Sequence, residues 1–168
     1  MGLHRVYLSV GSNLGDPQLN CSRGIEALSN ATGIFLLEQS PFYETQPVDY
    51  TDQDWFVNAA LLIETPLSPK ALLNTSQAIQ NRFGRKEGGI RFGPRALDLD
   101  IIFYDQLVLH ASHLTIPHPR MHKRRFVLQP ICDIDPTVVH PVLGKNVQDI
   151  LNQLVTDDQD IRKCSSGY

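Results

Sequence analysis

Residues 91–105, Arg91-Phe92-Gly93-Pro94-Arg95-Ala96-Leu97-Asp98-Leu99-Asp100-Ile101-Ile102-Phe103-Tyr104-Asp105, constrain this chain more than any other stretch. Side chains alternate along a strand, so Asp98 and Asp100 point to one face while Leu97, Leu99 and Ile101 point to the other. The apolar face requires a core behind it. The two carboxylates repel unless a cation sits between them. The loop just before them supplies arginines, whose guanidinium groups suit phosphate oxygens. Carboxylates, a hard cation and arginines in one short segment point to a magnesium-nucleotide site.

Charge placement supports this. The chain of 168 residues carries a formal net charge of −3, which gives no reason to expect non-specific binding to nucleic acid or membranes. Yet nine of its fifteen Lys and Arg fall in two segments, 82–95 and 120–125, with Glu87 as their one acid. An acidic protein that concentrates its cations has a local anion to hold. Length predicts one domain, and its size suffices for a core without disulfides. Cys21, Cys132 and Cys164 are odd in number and lack metal spacing, which fits a reduced compartment. No signal-peptide pattern opens the chain, and no apolar run approaches the roughly 20 residues of a membrane span. A cytoplasmic monomer is the expectation.

Periodicity lays out the elements. Arg5–Val10 reads as a strand, and Asp16-Pro17 as the capped start of a helix near 17–30. Ile34–Tyr43 reads as a second strand, with Pro41 favouring an edge or bulge. Thr45–Gln53 is a loop, and Trp55–Glu64 a buried strand. Ser68-Pro69 caps a second helix ended by Gly84, a glycine-rich loop follows, and 96–104 is the acidic strand. The order β-α-β-β-α-β is that of a ferredoxin-like α+β sandwich with an antiparallel sheet. The tail after residue 105 is less regular. It holds a helix around Val147, Ile150, Leu151 and Leu154, and residues beyond about 140 read as packing.

A bare D-x-D is most often a solvated strand face, because structural charges are common. Here the strand is otherwise apolar on both faces, so unpaired carboxylates would carry a desolvation penalty. Two carboxylates at i and i+2 suit one magnesium ion or two that share them. Among the loop cations Arg95 stands out, because Pro94 restricts the chain beside it. Arg85 and Arg91 would close over phosphates with the loop. No Walker A pattern occurs. His118, between Pro117 and Pro119, is either a surface loop histidine or a donor to phosphate. Phe126 is either core or a stacking platform. Asn58, inside an apolar strand, is either bonded to backbone or placed to read a polar heterocycle.

The stretch 91–101 resembles the signature of the 6-hydroxymethyl-7,8-dihydropterin pyrophosphokinase family of folate biosynthesis. Gly11-Ser12-Asn13-Leu14-Gly15, Phe42-Tyr43-Glu44-Thr45, Phe56-Val57-Asn58-Ala59-Ala60, Leu114-Thr115-Ile116-Pro117-His118 and Arg124-Arg125-Phe126 resemble further family segments in the same order, over roughly residues 5–140. The family fold is the ferredoxin-like sandwich.

The resemblance implies transfer of pyrophosphate from ATP to the pterin hydroxymethyl, with release of AMP. It implies two Mg2+ ions on Asp98 and Asp100, with Arg85 and Arg95 as catalytic cations. Gln80, Arg91, Phe92, Ile101, Thr115, His118 and Arg124 would bind ATP. Thr45, Val48, Phe56, Asn58 and Phe126 would bind the pterin, with Phe56 and Phe126 sandwiching its ring. Four residues depart from the common pattern: Gln80 for Glu, Glu87 for Arg, Phe92 for Trp and Phe56 for Tyr. A non-catalytic nucleotide or pterin sensor, a nucleotidyl transferase and an RNA-binding sheet are the competing classes. The last lacks the sheet aromatics and the basic charge.

Overall fold

β1 (His4–Ser12) is the sheet's centre because it is apolar on both faces, with Val6, Leu8 and Val10 on one side and Tyr7 on the other. It pairs antiparallel with β4 (Phe56–Thr65) and with β5 (Asp98–Tyr104). The computed structural model describes residues 2–84 and 94–165. α1 (Pro17–Ser29) follows β1, and the Asp16 carboxylate caps it by accepting from Leu19 N–H at 3.2 Å. α2 (Pro69–Arg82) is capped in the same way, by Ser68 Oγ on Ala71 N–H at 3.2 Å. Gly84 ends that turn at φ 78°, a left-handed conformation that suits glycine.

The strand expected over 34–43 is two strands. β2 (Phe35–Gln39) pairs with the far half of β4, and β3 (Tyr43–Thr45) with Phe56–Asn58. Pro41 lacks the N–H that a continuous ladder would need. Ser40 bridges the break: its N–H donates to Ala60 O at 2.9 Å and its hydroxyl accepts from Ala60 N–H at 2.8 Å. The sheet order β5-β1-β4 followed by β2 and β3 is the ferredoxin-like arrangement.

The chain beyond residue 105 is more ordered than its pattern suggested. β6 (Leu109–His110) and β7 (Thr115–Ile116) form a small ribbon. α3 (Arg125–Ile134) lies in the stretch that reads as less regular, and Pro130 inside it is a helix breaker by propensity. Burial of Val127, Leu128, Pro130 and Ile131 outweighs that propensity. α4 (Val147–Gln153) falls where expected, and β8 (Ile161–Lys163) extends the sheet by pairing with β3.

The sheet therefore separates two cores. α1 and α2 cover one face, where Cys21, Ile25, Leu28, Leu72 and Ile79 meet Val6, Leu8, Leu61 and Leu99. α3 and α4 cover the other, where Leu128, Ile131, Val147 and Ile150 meet Tyr7, Leu62, Ile102 and Phe103. A bulge shifts the register between Tyr7 and Leu8, so neighbours Ile102 and Phe103 both enter the second core.

Candidate active site

The site's floor is set by strand register. Asp98 lies opposite Gly11 on β1, and Gly11 lies opposite Asn58 on β4. Neighbouring strands are about 4.8 Å apart, so acid, glycine and amide form a row across three strands. All three are on the α3 side of the sheet. Gly11 keeps the middle of the row open: a Cβ there would stand 2.4 Å from Asn58 Oδ1. Asn58 Nδ2 donates to Thr45 Oγ1 at 2.5 Å, and both residues are buried. This bond fixes the amide's rotamer and joins β4 to the end of β3.

Asp100 lies one step along, opposite Ser9. Arg95 Nε approaches Asp98 Oδ1 at 4.0 Å. The backbone of Arg95 is held from both sides by Asn13, whose N–H donates to Arg95 O at 2.9 Å and whose Oδ1 accepts Arg95 N–H at 2.8 Å. Asn13 Nδ2 also donates to Gln53 Oε1 and Asp54 O, at 2.9 and 3.0 Å.

His118 is brought beside the acids by its backbone, whose N–H donates to Ile102 O of β5 at 3.0 Å. Its Nδ1 accepts from Arg120 N–H at 3.1 Å, which leaves Nε2 as the protonated donor. Burial, aided by Arg124 and Arg120, pulls its pKa down to about 4. The imidazole is therefore neutral at pH 7. Arg124 is also pulled below its ordinary value by burial, against the opposing pull of Asp49 and Asp100. Its Nη2 donates to Asp49 Oδ2 at 3.2 Å, and its guanidinium lies 5.5 Å from the centre of the Phe126 ring.

These groups line one cleft of about 300 Å3, which brings together Thr45, Val48, Phe56, Asn58, Arg95, Asp98, Asp100, His118, Arg124 and Phe126. A second cleft of about 340 Å3 is lined by Gln80, Ile101 and Thr115. Asp100 and His118 belong to both clefts. Two molecules, one in each, would meet at those two side chains. Gln80 also has a backbone partner: its Oε1 accepts Leu99 N–H of β5 at 2.6 Å, which braces the acidic strand. Arg85, Arg91 and Phe92, together with the departure Glu87, lie outside the described residues.

The donor set suits magnesium. Asp98 and Asp100 offer oxygen ligands on one face, beside cations that would hold phosphates, and magnesium completes its shell with water and substrate phosphate. No group of three or more His, Cys, Asp or Glu that could hold a metal occurs among the described residues. That excludes an all-protein cage there, but magnesium does not need one.

In the sequence, Gly11 and Asn13 stand out only as part of the segment 11–15 that resembles the family. Glycine at the end of an apolar strand, followed two residues on by an asparagine, is the available signal.

Residues 7–136 match the family described as 7,8-dihydro-6-hydroxymethylpterin-pyrophosphokinase (HPPK). The 2-amino-4-hydroxy-6-hydroxymethyldihydropteridine pyrophosphokinase of Methylorubrum extorquens is 37% identical over 150 residues, covering 89% of this chain and 93% of the relative. The folic acid synthesis protein fol1 of Schizosaccharomyces pombe is 41% identical over 161 residues, covering 96% of this chain. The present chain spans about a fifth of that longer relative, 22% of its length. The crystal structure of Plasmodium falciparum HPPK-DHPS wild type with pteroate superposes with a TM-score of 0.72 at 14% identity, over 90% of this chain and 42% of that one. That likeness concerns the fold. On the family match, the extent of the sequence relatives and the site built on β1, β4 and β5, the chain belongs to the 7,8-dihydro-6-hydroxymethylpterin-pyrophosphokinase family.

Proposed function

We propose that this protein transfers the pyrophosphoryl group of ATP to the hydroxymethyl oxygen of 6-hydroxymethyl-7,8-dihydropterin, releasing AMP, as a step of folate biosynthesis. The observation that carries this reading is the meeting of two clefts at Asp100 and His118. ATP occupies the cleft of Gln80, Ile101 and Thr115 and extends its phosphates toward the junction. The pterin occupies the other, with Asn58 and Thr45 facing its polar edge, Val48 beside it, and Phe56 and Phe126 stacking on its faces. By the family resemblance, Arg85 would serve as a catalytic cation and Arg91 and Phe92 would bind ATP.

Asp98 and Asp100 would hold two Mg2+ ions, which when bound neutralise phosphate charge and acidify the acceptor hydroxyl. Arg95 and Arg124 present guanidinium groups to the phosphate oxygens, and His118 donates through Nε2–H. The protein needs no covalent chemistry of its own; positioning the hydroxyl in line with the β-phosphorus supplies most of the effect. Residues 1–168 act as one pyrophosphokinase domain, a cytoplasmic monomer. No helix among the described residues is long and apolar enough to cross a membrane.

The test is nucleotide analysis after incubation with ATP, magnesium and the pterin. AMP that appears only when the pterin is present supports the reading. Pterin and ATP binding without AMP would assign a sensor instead, and release of pyrophosphate would assign a nucleotidyl transferase.

A further inference from the structure

The chain beyond residue 140 reads as packing from its sequence, but residues 159–163 touch both walls of the pterin cleft. We infer that Gln159, with the strand that follows it, is a positioning element that sets the spacing of that cleft; this rests on the function proposed above.

The bonds run in two directions. Toward α3, Gln159 Oε1 accepts Arg125 N–H at 2.9 Å and Nε2 donates to Lys123 O at 3.0 Å. The Gln159 carbonyl accepts from Arg125 Nη1 at 3.1 Å. One side chain thus grips the backbone on both sides of Arg124 and fixes the first turn of α3, where Phe126 sits. Arg124 offers no side-chain cap to that helix, so the Arg125 N–H would otherwise lack this acceptor.

Toward the pterin loop, Asp160 O accepts Gln46 N–H at 2.9 Å and Asp160 N–H donates to Gln46 Oε1 at 3.0 Å. β8 then pairs residue by residue with Thr45, Glu44 and Tyr43. The segment 159–163 is therefore a strap. One end holds the wall carrying Phe126, and the other holds the wall carrying Thr45 and Val48. A direct tie between those walls across the cleft mouth is the Arg124–Asp49 pair, whose aspartate is exposed. The nucleotide cleft touches no residue of the strap.

The experiment is Gln159→Ala in the full chain, with three readouts. The KM for pterin rises about tenfold, as expected for losing two backbone anchors. The Kd of a non-hydrolysable ATP analogue stays within about threefold. Amide hydrogen exchange accelerates over 45–49 and 124–127 and is unchanged in α1. Unchanged exchange at those two segments overturns the inference. So does an equal loss of both ligands with faster exchange throughout, which would mark a merely structural role. If the wild-type protein makes no AMP, the proposed function fails by itself, and the exchange comparison still decides the strap.

Discussion

A Cβ on Gly11 would stand 2.4 Å from Oδ1 of Asn58, closer than any real side-chain contact. The glycine is thus the space in which the Asn58 amide lies. Gly11→Ala forces that amide to turn, breaks its 2.5 Å bond to Thr45, and leaves a buried polar group unsatisfied. Such losses cost about 1–3 kcal/mol. The expected outcome is a pterin KM raised roughly ten- to a hundredfold with ATP affinity unchanged, read by steady-state kinetics. Equal weakening of both substrates would contradict the placement of pterin over Asn58.

Asp98→Asn and Asp100→Asn each lower turnover by roughly a hundredfold or more, because each removes a charge that holds the phosphate-bound cations. Near wild-type turnover in either variant would refute the metal assignment.

Arg95→Ala has a similar kinetic effect, on the order of a hundredfold, through loss of a fixed cation at the phosphates. Its partner variant Asn13→Ala removes the Oδ1 that accepts Arg95 N–H and leaves the main-chain bond to Arg95 O in place. It is expected to lower kcat as well, while Arg95→Ala/Asn13→Ala adds little beyond Arg95→Ala alone. Additive losses would separate the two residues.

His118 gives a pH signature with a definite sign. Its pKa falls from 6.5 to about 4, chiefly by burial, so the unfolded chain takes up its proton first. The stability this residue contributes is complete above about pH 6.5 and is lost progressively as pH falls toward 4, by up to ~3 kcal/mol. Denaturant titrations of wild type and His118→Gln between pH 7 and 5 measure it: the variant loses less stability over that interval. Parallel curves would show that the folded imidazole protonates normally.

Trp55 is the chain's one tryptophan and precedes Phe56 of the pterin cleft. Arg162 of β8 lies 5.2 Å over its ring. Pterin binding is expected to quench its emission, and Asn58→Ala to abolish that quenching at the same pterin concentration. Undiminished quenching in the variant would place the pterin elsewhere.

Much of this site was legible in the sequence because it is carried by residue types with narrow uses. Asp98 and Asp100 share a strand face by simple alternation, and a buried asparagine in an apolar strand demanded a partner. The helices α1 and α2 announced themselves through Asp16-Pro17 and Ser68-Pro69. What stayed hidden depends on tertiary contact. α3 holds Pro130 and is stabilised by burial on the sheet rather than by propensity. The break between β2 and β3 works because Ser40 substitutes its hydroxyl in the ladder, which no local pattern reveals. Gly11 acts through space on a residue of another strand. Gln159 looks like any polar residue near a chain's end until its three bonds to the start of α3 are seen.

The two-core arrangement has a consequence for how the protein tolerates change. α1 packs on the sheet face away from the pterin cleft, and its buried Cys21, Ile25 and Leu28 line neither cleft. Substitutions there would alter how much folded enzyme a cell retains while leaving each folded molecule's kinetics intact. On the opposite face, α3 carries both core and Phe126, so variation cannot separate abundance from catalysis. Sequence drift should therefore run freer in α1 than in α3, and a stabilised variant is best sought on the α1 side.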